Sequence, residues 1–183
     1  MRICVLAFGF DYPYFLASVL VVLTFMTAMH GCDTPDKRLN RVWMHCLKYY
    51  EDNPIDANSR YTRLLISMFS RREGWRNKFP QMKGKAAQVK HLIPALLYSF
   101  NQLRVIGNAS HDQIKLALEM SLKMDNILDD HPDSFVLPLA VAVEFTAAGV
   151  GFGMPFHLLP RHTMHMAICC CPRSGRRCDR KLH

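Results

Sequence analysis

"SHDQIKLALEMSLKMDNILDDHPD", residues 110–133, decides the fold class. Ile114, Ala117, Leu118, Ser121, Met124, Ile127 and Leu128 recur at three- and four-residue intervals, with Leu122 flanking, so one helix face is apolar or small. Ser110 followed by Gln113 has the spacing of a capping box, in which each side chain satisfies a free N–H group of the first turn. At the far end Pro132 disfavours the α region for His131 and closes the helix.

The same period extends in both directions from this segment. "RLNRVWMHCLKYYE" (38–51) follows a loop, "GCDTPDK", and sets Leu39, Val42, Trp43, Cys46, Leu47 and Tyr50 on one side. "DNPIDANS" (52–59) reads as a turn-rich connector with capping residues at its end. "RYTRLLISMFS" (60–70) suits a helix with Leu64, Leu65, Met68 and Phe69 inward, and 71–85 is mostly loop, with Gly74, Pro80 and Gly84. "KAAQVKHLIPALLYSFNQLRVI" (85–106) is helical in period, and Pro94 is expected to kink or divide it. "FVLPLAVAVEFTAAGVGFGMPF" (135–156) carries one charge, Glu144; a second membrane span is one reading, but Pro138, Glu144 and three glycines favour a buried helix of about twelve residues. Its glycines at 149, 151 and 153 have no strand before them, so a helix terminus is the plainer reading than a phosphate loop. No segment alternates as a strand does. The predicted class is therefore all-α, a compact single-domain bundle of roughly five to six helices over 1–168, with a disordered Cys/Arg-rich tail over 169–183.

"YPYFLASVLVVLTFMTAM" (12–29) has no charge, and two readings stand beside each other. One is a core helix enclosed on every side. The other is a membrane anchor or secretory segment, for which the length is at the threshold and the cleavage signal is poor. Entry into a secretory pathway would make Asn108, in "NAS", a glycosylation acceptor. The seven cysteines include the consecutive Cys169, Cys170 and Cys171, which cannot all pair with one another, and this favours reduced thiols and an intracellular setting.

Charge is the strongest functional indication. The net charge of +8 is confined to two blocks. Residues 60–91 carry Arg60, Arg63, Arg71, Arg72, Arg76, Lys78, Lys83, Lys85 and Lys90 against Glu73, and 161–183 carry six cations against Asp179. Such asymmetry suggests an anionic partner, either nucleic acid or an anionic membrane surface. Arg71, Arg72, Arg76, Lys78, Lys83 and Lys85 would neutralise phosphates, while Trp75 could stack on unpaired bases, as could Phe79. The plainer alternative is a hydrated loop anchored by its aromatics.

Other chemistry is thin. His162, His165 and Cys169 share ligand chemistry and helical spacing, yet no paired C-x-x-C and His unit accompanies them, so no metal is expected. Asp125, Asp129 and Asp130 read as surface charge at a helix end. His45 and Cys46 are adjacent and diverge on a helix, against a nucleophile–base pair. G-x-S-x-G, H-E-x-x-H and P-loop patterns are all absent, and the expectation is a protein without catalysis, cofactor or small-molecule substrate.

Over about residues 38–166, the pieces "SMF", "MKGKAAQVKHLIPAL" and "PRHTMH" resemble uncharacterised multi-copy open reading frames of unicellular algal genomes, thought to derive from mobile elements. The resemblance implies a helical intracellular protein with a nucleic-acid partner, and a longer C-terminus than "CCCPRSGRRCDRKLH". The abrupt end leaves a non-functional fragment as a further alternative.

Overall fold

The computed structural model describes residues 12–25, 33–69, 81–132 and 137–158. Five α-helices account for most of them: α1 (Tyr12–Phe25), α2 (Pro35–Asp52), α3 (Ala86–Leu103), α4 (Ala109–Asp129) and α5 (Leu139–Leu158). No strand occurs among the described residues, and the all-α expectation holds. α3 lies centrally, packed on α1, α2 and α4, while α5 packs chiefly on α4.

α2 starts earlier than its apolar period. Thr34 is extended (ψ 153°) and accepts from Lys37 N–H at 3.4 Å, with Pro35 at the first helical position, where a missing N–H costs nothing. The expected loop "GCDTPDK" therefore contains the helix start. α4 is likewise capped by Asn108 and not by Ser110. The Asn108 side chain accepts from the N–H groups of Ser110 and His111 at 3.0 and 3.3 Å. Gly107 precedes it at φ +80°, a conformation that side chains rarely adopt.

α2 and α3 run antiparallel in a register fixed by three polar contacts. Ser99 Oγ donates to Val42 O (3.4 Å), Cys46 Sγ to Ala95 O (3.7 Å) and Tyr50 Oη to His91 O (3.4 Å). Each step moves four residues along both helices, so the contacts follow the facing ridges. Pro94 has no N–H to offer the Lys90 carbonyl, yet α3 continues through it undivided. Packing on three neighbouring helices holds the helix together there. The fully enclosed Leu92, Ile93 and Leu96 each contribute about 1.5–3 kcal/mol through burial.

Residues 12–25 form a core helix. Leu16, Ala17, Leu20 and Leu23 have no exposed surface, and α1 packs on α2 and α3. Arg38 of α2 reaches back to its end, donating from Nη1 to the carbonyls of Thr24 (3.4 Å) and Phe25 (3.3 Å). A cation there satisfies terminal carbonyls and opposes the negative end of the helix dipole. No helix of the described residues is long and apolar enough to cross a membrane, and residues 26–29 of the apolar stretch lie outside the described residues.

Three further expectations are corrected. Residues 60–69 are not a helix but an irregular run with one tight turn, Ile66–Met68. Leu64 and Phe69 are buried as expected, whereas Leu65 is 41% exposed and Met68 only partly covered. Leu128, expected inward on α4, is 38% exposed. α5 spans twenty residues instead of about twelve and runs through the three glycines, and over 139–150 it is covered on one side only. The tail 169–183 lies outside the described residues.

Candidate nucleic-acid interface

The basic region is built on two irregular pieces, 60–69 and 81–85, tied to each other and to the core by hydrogen bonds. Tyr61 Oη donates to Lys83 O at 3.0 Å, and Lys83 N–H donates to Met68 O at 2.9 Å. Met82 N–H donates to Pro13 O at 2.8 Å, tying the second piece to the start of α1. Gln88 finishes the arrangement from the first turn of α3. Its Oε1 accepts from Lys85 N–H (3.0 Å), and its Nε2 donates to Arg60 O (3.4 Å). Tyr61, Leu64, Phe69 and Met82 are buried beneath these bonds.

Glycine is required at one point. A Cβ at Gly84 would coincide with the Tyr61 hydroxyl, so the two pieces approach this closely only with no side chain there. Burial pushes the Tyr61 phenol up to about 12, keeping it a hydrogen-bond donor over the physiological range.

The result is a rim of cations. Arg63, Lys83 and Lys85 are exposed and Arg60 is half-buried, with its guanidinium carbon 6.0 Å from the centre of the Tyr50 ring. Among the described residues none of the four has an ion-pair partner. Elsewhere Arg41 pairs with Asp33, Lys90 with Asp129, Arg104 with Asp112, Lys115 with Glu119 and Lys123 with Glu144. Lys37 and Lys48 on α2 are the other exposed described cations outside these pairs.

Of the sequence-predicted residues, the structure brings Lys83 and Lys85 onto this rim. Arg71, Arg72, Trp75, Arg76 and Lys78 lie outside the described residues, as do Phe79 and the metal candidates His162, His165 and Cys169. Because Met68 and Lys83 are bonded, the chain leaves at Phe69 and re-enters at Met82 beside one point. Arg60 and Arg63 join the rim although sequence reasoning left them out of the site. Their place depends on Tyr61 meeting Gly84, which no local pattern announces.

Among the described residues the alternative sites do not assemble. Asp125 is buried on α4, Asp129 pairs with Lys90, and Asp130 sits at the helix end. Among the described residues no group of three His, Cys, Asp or Glu side chains could hold a metal ion. Cys46 is enclosed, burial pushes its thiol up to about 12, and it donates to a carbonyl, so it is not poised as a nucleophile. Comparison with protein-family models, with curated proteins and with solved structures gives no match.

Proposed function

We propose that this chain binds nucleic acid non-catalytically, through the rim Arg60, Arg63, Lys83 and Lys85 together with Arg71, Arg72, Trp75, Arg76 and Lys78. One observation supports the reading: hydrogen bonds fix the backbone that carries the rim, and among the described residues the rim cations lack carboxylate partners, while five cations elsewhere have them. A cation left unpaired on a fixed backbone is free to displace condensed counterions from a phosphate chain. Aromatic side chains in the same block would stack on unpaired bases, which favours a single-stranded target.

The test is a titration of labelled single-stranded and duplex oligonucleotides across salt concentration. Affinity should fall steeply with salt, and each alanine replacement that removes a phosphate contact should reduce the slope of log K against log salt by about 1. Replacing Arg71, Arg72, Arg76, Lys78, Lys83 and Lys85 together by Ala should abolish binding; unchanged binding would sink the proposal. Anionic vesicles form the control arm. Binding to vesicles in the absence of oligonucleotide binding would assign the block to a membrane surface instead.

A further inference from the structure

α5 presents an apolar face with no partner among the described residues. Leu139, Val143 and Val150 are 59%, 59% and 57% exposed, and Ala140 and Ala147 are exposed as well. The opposite face, Ala142, Phe145, Ala148 and Gly149, is buried, as is Leu137 just before the helix. Such a patch amounts to a few hundred Å2, on the order of 300–600 Å2, a size that marks interaction surfaces on many monomers.

Ala140, Val143, Ala147 and Val150 follow one another at intervals of three, four and three residues. That is the a/d seam of a left-handed helix pair, so the occupant it fits is a second helix. The seam is also its own complement. Turned end for end about a two-fold axis near Phe145, Ala140 meets Val150 of the second copy and Val143 meets its Ala147. Each layer then pairs one small with one larger side chain. A parallel pairing would set Ala on Ala and Val on Val, leaving layers alternately loose and crowded.

The charges flanking the seam fit the same symmetry. The seam contains none. Glu144 lies beside it, 2.9 Å from Lys123 of α4. The two-fold axis brings both Glu144 carboxylates to one side of the pair, with both Lys123 ammonium groups next to them, so the cluster is neutral. We propose that this protein self-associates as an antiparallel two-fold dimer through α5. Doubling the patch reaches about 1,000 Å2 with its rim, the lower end of specific interfaces, so the dimer is weak and concentration-dependent.

The experiment is sedimentation of the purified chain over a range of concentrations, with circular dichroism confirming that each variant keeps its helix content. The wild type should move from monomer to dimer with concentration. Val143→Lys and Ala147→Glu should each weaken association at least ~tenfold by placing an unpaired charge in the seam. The double variant, Val143→Lys with Ala147→Glu, should restore the dimer, because antiparallel pairing sets each Lys against a Glu. Lys123→Glu should weaken it by leaving four carboxylates together. A wild type that stays monomeric at every concentration overturns the proposal. So does a Val143→Lys variant that dimerises like wild type, or a double variant that stays monomeric.

Discussion

α3 and α5 are nearly equal in length and both are rich in apolar residues, yet they are used in opposite ways. α3 has three helical neighbours, and Val89, Leu92, Ile93, Ala95, Leu96 and Phe100 are buried across a wide arc. α5 leans chiefly on α4 and keeps Leu139, Val143 and Val150 in the open. The number of neighbours, and not the hydropathy of the helix, determines how much of it leaves water. Hydrophobic stabilisation follows area removed from water, so equal side chains in the two helices should carry unequal weight.

The largest effect should come from cutting into α3. Leu96 has no exposed surface, and Leu96→Ala should cost about 2–5 kcal/mol, read as a lower urea midpoint. An unchanged midpoint would mean that α3 is not the centre of the core.

A pH-dependent effect should follow at the junction of α3 and α4. His111 is buried, its Nδ1 accepts from Val105 N–H at 3.0 Å, and its ring lies edge-on to Phe100. Burial, as the main cause, lowers its pKa, with Arg104 acting alongside burial and Asp112 opposing it. The folded state thus holds His111 neutral, whereas the unfolded chain takes up a proton near pH 6.5. Its contribution should be full above that pH and fall as pH drops below it, toward the lowered folded value. Comparing unfolding midpoints of wild type and His111→Gln between pH 7 and pH 5 isolates this, since other titrations cancel in the difference. Parallel curves would remove His111 from the account.

Smaller again should be Tyr61→Phe, which deletes the hydroxyl donating to Lys83 O. The expected loss is about 0.5–1.5 kcal/mol, with faster amide exchange at Lys83 and Met82 as the local readout. The smallest effect should be Val143→Ala on α5. At 59% exposure it should leave monomer stability within about 0.5 kcal/mol, the counterpart to Leu96 in this comparison. A loss comparable to that of Leu96→Ala would show that the outer face of α5 is covered within the monomer.

Much of this fold is legible in the sequence where local period and tertiary burial agree. α2 and α4 bury residues at the spacing their sequences set out, and α1 is enclosed as a core helix should be. The reading fails where tertiary bonds outcompete local ones. Leu64, Leu65, Met68 and Phe69 have helical spacing, but the carbonyls of Arg60 and Met68 bond to Gln88 and Lys83 instead of building a helical turn. A short helix with a costly first turn does not withstand that competition. Ser110 lost the cap of α4 to Asn108 because Gly107, in the left-handed conformation, turns the chain two residues earlier. For the basic region, sequence reveals the charge but not the geometry. Lys83 and Lys85 were evident from their charge; Arg60 and Arg63 meet them only through a glycine and a tyrosine some twenty residues apart.

The placement of Cys46 gives the molecule an internal clock. Alkylating reagents attack the thiolate, and this thiol is both enclosed and held protonated between α2 and α3. Covalent labelling at Cys46, followed by mass spectrometry of its peptide, therefore counts how often that helix pair separates. The chain carries its own probe of that opening event, needing no added fluorophore.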